Sequence, residues 1–201
     1  MERRDALKNL GLSIGGITMS STVISLLQSC SGKSNLSWNP EIFSSQEAEL
    51  ITKTLEVILP KTENIPGATD LNLTQFIDGY IKHVSGEDEQ KNIKRLAEKY
   101  LLTTKAAIDK KNISDMTLDD IDSRLAYYLK ANKSQIEKWT KGDSDDAASY
   151  NFLISLRSRG VSAFKMSEHI GEKVLAYSPI PGRQIGCVDL NEATGGKAWS
   201  I

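Results

Sequence analysis

The stretch "LTQFIDGYIKHV", Leu73 to Val84, decides the fold. Leu73, Phe76, Ile77, Tyr80, Ile81 and Val84 recur at i, i+3, i+4 and i+7. That is the period of one face of an α-helix, not the two-residue period of a strand. The same period extends on both sides. Upstream, Ser44 and Glu47 in "SSQEAELITKTLEVILP" have the spacing of a capping box. Leu50, Ile51, Thr54, Leu55, Ile58 and Leu59 then share a face, and Pro60 closes the run. "KTENIPGATDLN" between the two is a turn-rich loop centred on Pro66 and Gly67.

Downstream, the acids of "GEDEQ" open a third helix, where the macrodipole favours them. It carries Ile93, Leu96, Ala97, Tyr100, Leu101 and Ile108 and ends in "DKKN". Thr117 and Asp120 cap a fourth, predicted to turn Leu118, Ile121, Leu125, Tyr128 and Leu129 inward. A fifth is predicted from Asp145 to Arg157, with Tyr150, Leu153, Ile154 and Arg157 on one side, interrupted by Gly160. "SAFKMSEHIGEKVLAY" reads as a short sixth. No β-branched alternation at strand spacing competes, and only 6% of residues are aromatic. The expected fold is all-α: a compact bundle of five or six helices over residues 44–176.

The last segment, 177–201, breaks the pattern. In "YSPIPGRQIGCVDL", Pro179 and Pro181 each remove a donor and fix φ, and Gly182 and Gly186 permit turns. It reads as an extended tail lying over its own helices or over another protein.

The chain has 201 residues, 25% of them charged, and a formal net charge of −1. That is enough for one domain with a core, and without a basic block it argues against nucleic acid. The first 29 residues read as an export signal: Arg3, Arg4 and Lys8, then an apolar run diluted by Gly and Ser, then "LLQSC". "RRDALK", with Arg3, Arg4, Leu7 and Lys8, resembles the twin-arginine consensus but has Glu2 where Ser or Thr is usual and Ala6 where Phe is usual. "LQSC" resembles a lipobox, with Leu27 three positions before and small Ser29 immediately before Cys30. Cleavage there makes acylated Cys30 the new N-terminus, and multiple acyl chains give firm anchoring. The competing reading is an uncleaved, weakly apolar anchor. Residues 30–43 follow as a polar tether.

Reaction chemistry is hard to find in this sequence. His83 and His169 are far apart, with no Cys or second His within a helical turn, and read as helix-surface residues rather than metal ligands. There is no CxxCH, Walker loop, GxGxxG or nucleophile elbow. The acid pairs Asp119–Asp120 and Asp145–Asp146 sit where capping explains them. Cys187 has two readings: a buried inert thiol, or, once Cys30 is consumed by lipid, an odd thiol that pairs with another chain.

Three features now coincide: the twin-arginine-like signal, the "ILP…PGA…FID" run from Leu59 to Asp78, and the tail from Tyr177 to Trp199. Together they resemble the gluconate 2-dehydrogenase subunit 3 family over most of the chain. The resemblance implies a non-catalytic small subunit with no cofactor of its own. Its large partner is a flavoprotein of the glucose–methanol–choline type, which carries the FAD and oxidises the alcohol. A cytochrome c subunit often accepts the electrons. The small subunit's signal escorts the folded flavoprotein through export. A lipid on Cys30 departs from this plan, because a cytochrome subunit can itself supply the membrane attachment.

On that reading Pro179, Pro181, Gly182, Cys187 and Trp199 belong to the partner interface, with the prolines lowering the ordering cost of a docked strand. Trp199 is either an interface anchor or a tail residue packed on its own bundle. The alternative function is a free-standing, periplasm-facing lipoprotein that binds a ligand or an envelope component.

Overall fold

The computed structural model describes residues 36–180, 182 and 186–200. The expected export signal with Arg3, Arg4, Leu7 and Lys8, the lipidation position Cys30, and Pro181 lie outside the described residues. Six helices of nine residues or more make up the body: α1 Ser45–Ile58, α2 Leu73–Val84, α3 Glu87–Ile108, α4 Leu118–Leu129, α5 Lys133–Lys141 and α6 Asp145–Met166. A 3-10 turn, Ile113–Asp115, links α3 to α4, and a π-type turn, Ile170–Val174, follows α6. A last short helix, α7, spans Leu190–Thr194. No strand is present among the described residues, and the fold is all-α.

The helix starts are set by local chemistry. Ser44 and Glu47 form the capping box of α1, and Thr117 and Asp120 that of α4, each side chain accepting the other residue's backbone N–H. Ser144 caps α6 by accepting from the Ala147 N–H, and Glu87, Asp88 and Glu89 fill the first turn of α3.

The core joins α1, α3, α4 and α6, with Leu50, Ile51, Leu55, Tyr100, Ile121, Tyr128 and Leu153 fully buried. α6 packs on α2, α3 and α5, and α1 on α2, α3 and α4. Hydroxyl pairs tie α3 to its neighbours, Thr54 with Tyr100 in the core at 3.0 Å and the partly buried Thr103 with Ser149 at 2.9 Å. The Tyr100 hydroxyl is pushed up to about 12 by burial.

Four expectations need correction. α6 runs unbroken through Gly160, which is buried on its inner face. A Cβ there would stand 2.6 Å from Leu55 Cδ2, so this glycine lets two helices approach closely. The inner row of α6 is Ser149, Phe152, Leu153, Leu156, Gly160 and Ala163; Ile154 and Arg157 face solvent. The first turn and the last residue of α4 reach past the core, so Leu118 and Leu129 are exposed. α5 was not foreseen because Trp139 is its one buried side chain, too little for a visible period.

Candidate partner-binding surface

The family-like run from Leu59 to Asp78 is mostly architecture. The Ala68 N–H donates to the Leu59 carbonyl (2.9 Å), folding the loop back on the end of α1. Glu56 accepts from the N–H and the hydroxyl of Thr69. A Cβ on Gly67 would fall 2.6 Å from Glu56 Oε1 and 2.7 Å from the Lys61 nitrogen, so this corner takes only glycine. Asp70 accepts from the Gly67 N–H and pairs with Lys61, which together hold its carboxyl below the usual range. Asp78 is buried, and its carboxylate accepts three consecutive backbone N–H groups, those of Glu41 (2.7 Å), Ile42 and Phe43 (3.1 Å each). This clamps the entering chain along α2.

Phe76, the aromatic of that run, is used differently. The apolar period of α2 splits into two rows. Leu73, Ile77 and Ile81 are buried, whereas Phe76, Tyr80 and Val84 stand in solvent, Val84 at 61% exposure. One i, i+4 row fills the space against α1 and α6; the adjacent row overhangs it. With Met166 of α6, 62% exposed, Phe76 and Tyr80 wall a groove of about 240 Å³ over Ile77 and Ala163, with Arg159 on its rim.

The C-terminal segment is a closed excursion rather than an extended tail. Ala176 and Trp199 form a parallel bridge: the Ala176 N–H donates to the Ala198 carbonyl (2.9 Å), and the Ser200 N–H to the Ala176 carbonyl (2.8 Å). Between them, Asp189 caps α7 by accepting from the N–H groups of Asn191 and Glu192, and Gly195 ends it at φ +64°. Sequence reasoning missed this helix because prolines and glycines dominate the segment before it.

Pro179 is exposed in a bend, Gly182 turns at φ +63°, and Cys187 is an exposed free thiol at φ +53°. Trp199 is 55% exposed even at the bridge, and Ile180 reaches 84%; Tyr177, Val188 and Leu190 are exposed with them. These exposed apolar side chains share one loop, tied at its ends by the Ala176–Trp199 bridge.

The acid pairs singled out by sequence are engaged in structural contacts. The Asp120 carboxyl is held at about 2 by the Lys110 ammonium and by the Thr117 N–H and hydroxyl. Asp145 pairs with Lys99 (2.9 Å), and Asp146 accepts from the Tyr128 hydroxyl (2.8 Å). His83 faces Glu41 at 3.7 Å, and His169 stands at the surface beside Pro66 and Leu71. Among the described residues, no three His, Cys, Asp or Glu side chains converge as a metal site would require.

These features define a class: a small all-α body with apolar side chains exposed on α2, α6 and the C-terminal loop. Within that class the chain belongs to the gluconate 2-dehydrogenase subunit 3 family, whose model matches residues 45–182, from the start of α1 into the C-terminal loop. Membership implies association with a gluconate dehydrogenase complex. No curated protein and no solved structure matches the chain.

Proposed function

We propose that this chain is the non-catalytic small subunit of a flavin-dependent sugar or sugar-acid dehydrogenase, escorting its large subunit through export and stabilising it. The observation that carries the reading is the subunit 3 match across the helical body. The exposed apolar side chains of the C-terminal loop support it, because they offer anchors to a protein partner. The partner is a flavoprotein of the glucose–methanol–choline type, which holds the FAD and carries out the oxidation. It docks on the C-terminal loop, which among the described residues presents Pro179, Ile180, Gly182, Cys187 and Trp199. The signal with Arg3 and Arg4 directs the folded pair outward, and acylated Cys30 leaves the complex on a membrane, facing the periplasm.

Purification of the tagged chain from membranes under native conditions, with and without reductant, tests this. A yellow, flavin-containing partner supports the subunit reading, and its release only by reductant places Cys187 in an intermolecular disulfide. A cytochrome c in the same preparation identifies the electron acceptor. A colourless, solitary protein refutes the subunit reading and favours a ligand-binding lipoprotein.

A further inference from the structure

Glu49 and Lys53 of α1 stand one turn apart with the acid N-terminal, the order that favours an i, i+4 ion pair. They form none. Lys53 Nζ turns instead to the 3-10 link between α3 and α4. There it donates to the carbonyls of Ile113 (2.7 Å), Ser114 (3.2 Å) and Met116 (2.7 Å). Glu49 is left 8% exposed, and its buried Oε1 has no hydrogen-bond partner.

An unpaired charge in the interior costs far more than an unpaired neutral acid. A buried carboxylate should therefore capture the ammonium beside it. Lys53 bound to uncharged carbonyls is the arrangement that suits Glu49 as the neutral acid. Burial holds the Glu49 carboxyl above its usual range; Lys53 works against this and Asp115, on the link itself, works with it. The other charges around the junction are engaged. Lys105 of α3 donates to Gln46, one turn before Glu49, and Lys110 donates to Asp120 of α4 and to the Asp115 carbonyl. On the remaining helices packed against α1, Asp78 of α2 is bound to the entering chain, and Arg124 of α4 pairs with Asp146 of α6.

We propose that Glu49 and Lys53 form a pH-responsive latch on the α3–α4 link. With Glu49 protonated, Lys53 holds the Ile113–Asp115 turn by its carbonyls. When Glu49 gives its proton to water, the new carboxylate draws the ammonium back along α1 and the turn loses that hold. Ile113 and Met116 are each only 2% exposed, so the link stays seated and the released hold shows as more frequent local opening.

The test is amide hydrogen exchange in the full chain, read by mass spectrometry over the peptide containing Ile113 to Met116 and corrected for the intrinsic effect of pH. The reporters are the Asp115 N–H, which donates to the Asn112 carbonyl, and the Met116 N–H, which donates to the Ile113 carbonyl. Protection in the parent is expected to fall several-fold as pH rises from about 4 to about 8, across and above the usual glutamate range. In Glu49→Gln it should stay level. Lys53→Met keeps an unbranched stem without the ammonium and should show low protection throughout. Urea unfolding gives an independent readout. The unfolded chain ionises at a lower pH than the folded one, so Glu49 lowers stability as pH rises through that interval. The Glu49→Gln midpoint should therefore exceed the parent's at about pH 8, and the gap should close by about pH 4.

Parent protection that does not change with pH overturns the latch, as does a Glu49→Gln variant that loses protection in step with the parent. A Lys53→Met variant as well protected as the parent at acid pH overturns the part given to the lysine. Should Lys53→Met fail to fold, the comparison of Glu49→Gln with the parent decides alone.

Discussion

At the residue scale, Asp78 and Gly160 show how a single position can set the geometry of a helix pair. Asp78 places a carboxylate in the interior and answers it with three backbone donors, so the cost of burial is met by charge-assisted bonds. Asp78→Ala leaves the Ile42 and Phe43 N–H groups buried without acceptors. At about 1–3 kcal/mol for each unsatisfied group, the expected loss is about 3 kcal/mol, with Asp78→Asn intermediate because its amide oxygen retains part of the set. Urea unfolding measures this; an Ala variant as stable as the parent would mean that residues 36–43 are not held as described. Gly160→Ala poses the opposite balance. A helix interior gains about 1 kcal/mol on replacing Gly by Ala, but overpacking costs about 1–3 kcal/mol. Leu55, the side chain that must yield, is itself fully buried, so the midpoint in urea should fall. A rise would show that Leu55 has room to repack.

At the element scale, the capping box of α4 gives a pH prediction. The Asp120 carboxyl sits at about 2 because Lys110 and Thr117 favour its charged form. A folded-state value below the unfolded one contributes stability that is complete above the unfolded range near pH 4 and lost as pH falls towards about 2. The parent should therefore exceed Asp120→Asn in urea midpoint at about pH 6, and the gap should close as pH drops through that window. A gap unchanged at the acid end would assign the difference to something other than this carboxylate.

The same scale shows what the sequence could reveal. The boxes Ser44–Glu47 and Thr117–Asp120 are local signals between near neighbours, and both helix starts were legible. The reach of α6 past Gly160 was not, because a glycine that breaks a helix and one that admits Leu55 are written identically; only the partner helix tells them apart. α2 was legible as a helix, yet its overhanging row was not, since Phe76 and Tyr80 carry the same period as buried Ile77 and Ile81. Of the C-terminal residues singled out by sequence, Pro179, Gly182, Cys187 and Trp199 are exposed, and the Ala176–Trp199 clasp is a contact between distant residues that no local pattern encodes.

At the scale of the whole molecule, the helical body and the C-terminal loop use their apolar side chains differently. The body buries its apolar side chains around Leu55, Tyr100 and Leu153, whereas the loop leaves Ile180, Leu190 and Trp199 in water. Side chains already solvated in the free chain contribute little to its own stability, so truncating them should move unfolding by no more than about 0.5 kcal/mol. If the same side chains are anchors for the dehydrogenase subunit, each truncation at a central position should cost more than about 1–2 kcal/mol of association. The combined variant Ile180→Ser, Leu190→Ser and Trp199→Ser is therefore expected to keep the parent's urea midpoint and lose the flavoprotein in native purification. Leu153→Ala supplies the contrast: it should lower stability by about 2–5 kcal/mol through cavity formation, and lose the partner only as the fold itself is lost. A loop variant that retains its partner would move the interface onto the helical body. A loop variant that unfolds with Leu153→Ala would mean that the Ala176–Trp199 clasp supports the core, and that folding and association are not separable in this chain.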